Sequence, residues 1–376
     1  MIYLFNSAFR DLYRVNVLNT LFLPIGSCNQ YRYRIDGNIS PADHQDLKEV
    51  ERGEPVIITF IDRFYQAAGG VGEYRFHPLR FGKLVSTEEV GGYLHFHVEF
   101  GDLVYPTDMA AFNNRLREAL GTRGLPRITG GNPTETRDGY YAIPAGSIFL
   151  QKGGFLYGDE AWIAAVDALR QTRAYSDTPT ERFVFARANL QESGTGKNLT
   201  PEIEGTSGVF KLYKGTKYEL ALSYRFPTQY QNQQATAALR LSVGDSLKLA
   251  AQSVVSINSH ADQPKVPISV KKHVEDEHAG ITFEWERTAQ NDPAVIGATH
   301  SIEVAIRESP SVWFQLAAAV IAFTLLESVA NVSVPTGVPN TIANIFAAAW
   351  PKLVLVGLAK AGTLLWMIKL FGQKVV

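Results

Sequence analysis

The chain has 376 residues, enough for two or three domains with real cores, and its 36 Lys and Arg nearly balance 37 Asp and Glu. A formal net charge of -1 excludes the global basic field of a duplex nucleic-acid binder. The single cysteine, Cys28, excludes an internal disulfide and fits a reducing compartment.

"MIYLFNSAFRDLYRVNVLNTLFLP" is apolar, but Arg10, Asp11 and Arg14 interrupt any signal-peptide h-region, so the expectation is a cytoplasmic soluble part. Within it "IYLF" reads as a strand, and "FRDLYRVNVLNTLF" as a helix with Leu12, Val15, Leu18 and Leu21 inward. "YRYRI" alternates as a short strand. "SPADHQDLKEVERGE" reads as a helix with Ser40 as N-cap and Pro41 at its first position. "PVIITFID" is a buried strand rich in β-branched residues.

"EYRFHPLRFGKLVS" and "YLHFHVEF" flank Gly91 and Gly92, which predicts a hairpin. "TDMAAFNNRLREALG" follows as a helix capped by Thr107 or Asp108 and closed by Gly121. The Gly- and Pro-rich passage from Thr122 to Gly146 reads as loop, "DEAWIAAVDALRQT" as a helix and "ERFVFARANL" as a strand. "QESGTGKNLTPEIEGTSG" has the composition of a linker.

Then the pattern becomes strands only. "VFKLY", "KYELALSYRF", "TAALRLSV", "SLKLAAQSVVSI", "VPISVKKHV", "GITFEWER" and "HSIEVAIRE" suggest an all-β, immunoglobulin-like sandwich. The expected organisation is an α/β (α+β) sensor with its β-hairpin in 1–105, and a mixed α/β segment and linker in 106–205. The sandwich follows in 206–309, then a two-helix transmembrane hairpin in 310–376.

From Ser311 to Val376 the charged residues are only Glu327, Lys352, Lys360, Lys369 and Lys374. Residues 311–332 and about 345–371 are each long enough to cross a hydrocarbon core of about 30 Å. A second helix that begins at Trp350–Pro351 would leave 341–350 as a short interfacial or re-entrant piece. Arg307 precedes the first span, Lys369 and Lys374 follow the second, and the connector has neither Lys nor Arg. The positive-inside rule then places both ends in the cytoplasm of a bacterial inner membrane. A buried hairpin in a soluble core is the alternative.

Lys360 falls near the bilayer midplane, where a lysine carries a penalty of at least ~2.5 kcal/mol and normally faces protein or a water-filled cavity. One hairpin shields it poorly, so a homo-oligomer, such as a tetramer, is expected, with Lys360 and Thr363 on a polar lumen. Glu327 is within reach of Lys352, and pairing of Lys360 with Glu327 or a carbonyl is the bland alternative. Gly357 and Ala361 allow close helix approach.

In the soluble part, Tyr93, His95, His97 and Glu99 share one face of a strand by period-two geometry. Arg75 and His77 are expected beside them from the paired strand. This face reads as solvated, as a ligand surface, or as a metal site without a convincing third ligand. Arg32 and Arg34 share one face of "YRYR", suited to phosphates and stacked bases, or simply to an exposed edge strand. "SGTGKN" fails the phosphate-loop pattern, because no glycine stands five residues before Gly196 and Asn198 stands where a hydroxyl is required. No catalytic motif and no cofactor are expected.

The opening "YLFNSAFRDLYRVNVLNTLFLP", the sandwich and "VWFQLAAAVIAFTLLESVANV…WPKLVLVGLAKAGTLLWMIKLF" together resemble the channel subunit of the two-gene Hailong system of bacterial anti-phage defence. The resemblance implies a homo-oligomeric channel gated by short single-stranded DNA from a partner nucleotidyltransferase. It is architectural and transfers no ligand-binding residue. The sequence-based expectation is therefore a ligand-gated membrane effector, with a membrane-anchored scaffold that recruits a protein partner as the alternative.

Overall fold

Branched and aromatic side chains at the start of the chain, and again from position 55, build the centre of a seven-stranded sheet. A computed structural model describes residues 2–7, 11–39, 41–64, 73–122, 141–144, 154–176, 181–227, 230, 236–249, 253–258, 264–271, 278–286, 294–297 and 299–308. Both expected spans, with Glu327, Lys352, Lys360 and Thr363, lie outside these residues, as does Ser40. Among the described residues no helix is long and apolar enough to cross a membrane.

The chain enters as β1 (Ile2–Ser7), α1 (Asp11–Phe22), β2 (Cys28–Arg34), α2 (Ile35–Asn38), α3 (Pro41–Lys48) and β3 (Pro55–Phe64). The long hairpin β4 (Glu73–Val90) and β5 (Tyr93–Pro106) follows, then α4 (Met109–Thr122), β6 (Tyr141–Pro144) and β7 (Phe155–Tyr157). Sheet order is β2-β5-β4-β3-β1-β6, with β7 on the end of β5. β1 and β3 run parallel, while the other pairs are antiparallel.

Gly91 and Gly92, at φ +59° and +79°, supply the two left-handed positions of the tight turn that sets Val90 opposite Tyr93. Asp108 caps α4, its Oδ1 accepting from the Ala111 N–H at 2.9 Å. The passage expected to be loop up to Gly146 contributes β6, which pairs with β1. Its short, Pro-ended run carries too little periodicity to stand out in the sequence.

The sheet is covered on both faces. Val17, Leu18, Leu21 and Phe22 of α1 join Leu4 and Ile58 in one core, whereas Phe112 and Leu116 of α4 join Tyr3, Phe5, Ile57 and Phe76 in another. Buried Asn113 fastens α4 to β4: its Oδ1 accepts from the Phe76 N–H at 2.7 Å and its Nδ2 donates to the Phe76 carbonyl at 3.2 Å. The inward stripe of α1 thus shares Leu18 and Leu21 with the expected one, but Val17 is buried and Val15 is only half-buried.

Next come α5 (Gly158–Leu169), α6 (Arg173–Ser176), β8 (Glu181–Phe183), β9 (Phe185–Glu192), β10 (Glu202–Glu204), β11 (Ser207–Tyr213) and β12 (Lys217–Arg225). The last strands are β13 (Thr236–Val243), β14 (Leu247–Leu249), β15 (Val254–Asn258), β16 (Lys265–Val270), β17 (His278–Glu286), β18 (Ala294–Ile296) and β19 (His300–Arg307). They form a six-stranded sheet, β10-β11-β19-β17-β13-β15, and a four-stranded sheet, β14-β16-β12-β9. β8 and β18 pair separately. The protein is therefore a mixed α/β molecule, mostly strands in several sheets with few helices.

Several expected elements divide differently. "SLKLAAQSVVSI" breaks into β14 and β15, which join different sheets. "ERFVFARANL" breaks into β8 and β9, and β9 pairs with β12 along its length. The expected linker is folded: Gln191 bridges Asn198, Gly194 and Gly196 turn at φ +93° and +65°, and β10 pairs with β11. The expected boundary at 105/106 falls inside β5, and Met1–Arg307 forms one compact unit.

One buried charge joins these layers. Arg80 of β4, 1% exposed, donates to the carbonyls of Gly101 and Thr20 at 2.9 Å and of Leu23 at 2.5 Å. Its guanidinium also lies 4.5 Å from the Phe100 ring centroid. Register shifts on both sides of Arg80 turn the strand locally, as bulges do. Arg80→Ala leaves these carbonyls without their donor and opens a cavity. The expected loss is roughly 3–5 kcal/mol in urea unfolding of the full chain in detergent, against under about 0.5 kcal/mol for exposed Lys83→Ala.

Candidate ligand-binding sheet face

β2 pairs with β5, which merges two features that the sequence presents separately. Tyr31 and Tyr33 point into the core with Leu94, Phe96, Val98 and Phe100, while Gln30, Arg32, Arg34, Tyr93, His95 and His97 lie on the opposite face. The register sets Arg32 beside His95 and Gln30 beside His97. From β4, Glu88 stands opposite His95 and Ser86 opposite His97.

Contacts between these side chains are specific. The Arg32 guanidinium sits 4.8 Å from the Tyr93 ring centroid. The Gln30 amide nitrogen is 2.9 Å from His95 Nδ1 and 3.3 Å from His97 Nε2, so one amide joins both imidazoles. Arg34 is gripped on two prongs by Asp36, at 2.7 and 2.8 Å. Burial holds His97 below the ordinary imidazole value; Glu88 works against this shift and His95 adds to it.

Of the six candidate residues, Arg32, Arg34, His95 and His97 come together and Arg75 and His77 do not. β4 is the paired strand, but the residues it sets beside the histidines are Glu88 and Ser86. His77 lies nine residues before Ser86, roughly 30 Å along the strand at about 3.3 Å per residue. There it is buried against Phe60, with no hydrogen-bond partner at either ring nitrogen. Arg75 pairs across to Asp62.

Gln30 and Glu88 were missed as members of the face. Gln30 could have been found by stepping two residues back from Arg32; Glu88 needed the hairpin register. Chemically, the face offers guanidinium and imidazole donors beside a half-exposed tyrosine ring, which suits an oxyanion with an attached aromatic group. Glu88, set opposite His95, tempers the face's positive charge. Among the described residues no group of three or more His, Cys, Asp or Glu could hold a metal ion.

"SGTGKN" is a tight turn here, with Thr195 Oγ1 accepting from the Lys197 N–H at 3.2 Å. No protein-family model matches the chain and no curated protein sequence matches it.

The buried histidine gives a stability test. Burial lowers His77 to about 4 from an ordinary 6.5, and His300 likewise to about 4. Between these values the unfolded chain binds protons that the native chain does not, so stability falls as pH drops from about 6.5 toward 4. His77→Phe, which needs no proton, should remove roughly 1–3 kcal/mol of that acid loss in urea midpoints taken at several pH values, while His300 keeps the remainder.

Proposed function

We propose that the chain is a subunit of a homo-oligomeric, ligand-gated membrane channel, an effector of antiviral defence in a bacterial inner membrane. Its cytoplasmic part senses a nucleotide or a short single-stranded DNA. The observation that carries the sensing half is the shared face of β2 and β5, where Arg32 over Tyr93 adjoins the amide-linked His95 and His97. Cation, aromatic ring and hydrogen-bonding groups in one patch are what a phosphate with an attached base requires.

In this reading the α/β part is the sensor and the two later sheets form an immunoglobulin-like sandwich. Strand order supports that: β9, β12, β16 and β14 make one layer and β11, β19, β17, β13 and β15 the other, with β11 parallel to β19. Apolar segments 311–332 and 345–371 form the hairpin, with Lys360 on the lumen, Glu327 near Lys352, and Thr363 close by. A partner nucleotidyltransferase would supply the signal.

Two measurements test the halves separately. A fluorescent oligothymidylate titrated into the full chain in detergent should bind roughly 5–30-fold more weakly to Arg32→Ala and Tyr93→Ala, in line with about 1–2 kcal/mol for a lost stacking or cation–π contact. Arg75→Ala should stay within about twofold. Equal affinity across all three variants removes the face from sensing. In liposomes, Lys360→Glu should shift ion selectivity; unchanged conductance and selectivity in both Lys360→Ala and Lys360→Glu removes Lys360 from the pore. An unrelated anchor in place of 310–376 should abolish function in a channel and preserve it in a scaffold.

A further inference from the structure

The outer face of β9 and β12 carries arginines that meet α5. Arg187 pairs with Asp159 at 2.5 Å, a balanced couple. At the other end of the helix the balance fails. Asp167 Oδ1 accepts from Arg170 Nη1 at 2.9 Å and from Arg225 Nη1 at 2.7 Å. One carboxylate is divided between two guanidinium groups. Among the described residues neither arginine has another carboxylate, so one positive charge stays uncompensated.

Arg170 is the C-cap of α5 and 5% exposed. Its Nε and Nη2 are buried with no hydrogen-bond partner. These two nitrogens form one edge of the guanidinium, whose parallel N–H groups match a pair of oxygens on a phosphate or carboxylate. Arginine does not escape the cost of burial by releasing its proton. A buried charged fork with both donors idle calls for a ligand, because such donors are nearly always satisfied in folded proteins.

We propose that Arg170 and Arg225 form an anion site, separate from the β2–β5 face, that takes a phosphate or a carboxylate on the free edge of Arg170. Asp167 and Arg225, which meet at the Nη1 end of Arg170, are 43% and 35% exposed, so two of the groups around the buried edge are surface side chains that move by rotamer change alone. Asp167 is the resident competitor: its carboxylate sits on Nη1 of both arginines, and its negative charge opposes an oxyanion on the neighbouring edge. The carbonyl end of α5 disfavours an anion, and two guanidinium groups within reach of one carboxylate oxygen outweigh it. The site lies where α5 meets β9 and β12, so occupancy changes the ion pairs between that helix and the four-stranded sheet.

The test uses the full chain in detergent. Melting curves and titration calorimetry are run with inorganic phosphate, with acetate, and with thymidine 5′-monophosphate against thymidine, each referred to chloride at equal ionic strength. Phosphate should raise the melting temperature of the natural protein saturably. Asp167→Asn should bind phosphate at least fivefold more tightly, because its competing charge is gone. Arg170→Lys, which keeps the charge and loses the fork, should bind at least tenfold more weakly; Arg170→Met should not respond. The loss caused by Arg170→Lys should be the same in an Arg32→Ala background, which separates this site from the sheet face. A larger response to the monophosphate than to phosphate assigns the source to a nucleotide, and a preference for acetate assigns it to a carboxylate. Melting temperatures that follow ionic strength alone, or Arg170→Lys and Asp167→Asn responding as the natural protein does, overturn the proposal. If Arg170→Met does not fold, the Lys and Asn variants decide the question.

Discussion

A buried guanidinium that donates to backbone carbonyls holds the centre of this protein together. Arg80 reaches from β4 to the carbonyls of Thr20 and Leu23, at the end of α1, and to that of Gly101 in β5. Helix ends leave carbonyls without intrahelical donors, and a buried end must find them elsewhere. Here a strand supplies them, so one side chain ties the end of α1 to the sheet. Burial lowers Arg80 to about 9 from an ordinary 12.5, which still leaves it charged at neutral pH. Everything stacked beyond α1 inherits that placement, including Phe22 against Phe283 at a centroid distance of 4.9 Å.

The same residue type serves three different ends. Arg80 satisfies carbonyls inside the fold, Arg32 lies over a tyrosine on an open face, and Arg170 keeps an idle edge beneath a shared carboxylate. Sequence treats them alike, since each sits in a mixed polar and apolar run. What separates them is which neighbours the fold delivers, and that is set by register and by bulges.

Legibility followed periodicity. Alternation in "YLHFHVEF" and "YRYR" was regular enough to assign faces, because a one-residue slip would have turned phenylalanine and tyrosine rings into water. The Gly-Gly turn and the Asp108 cap were readable for the same local reason. Long-range pairing was not. That β2 lies against β5 joins residues 59 to 71 positions apart, and nothing in either strand names its partner. His77 looked like a companion of His95 because both sit in the same hairpin. An 18-residue strand carries them far apart. Tyr141–Pro144 and the break between Leu249 and Val254 escaped because short strands hold too few residues for a pattern.

β19 ends at Arg307 beside parallel β11, with antiparallel β17 flanking it on the other side as far as Ala305. A strand at an edge can be peeled away one bond at a time. An interior strand pulled along its own axis is loaded in shear, so its ladders on both flanks must give way together. The Lys214 N–H, donating to the Arg307 carbonyl at 2.9 Å, sits at the point where such a tug arrives. The exit of the chain from the last described strand is therefore a mechanically stiff mooring. Tension applied beyond Arg307 would load the β11 ladder at Arg307 and the β17 ladder from Ala305 inward.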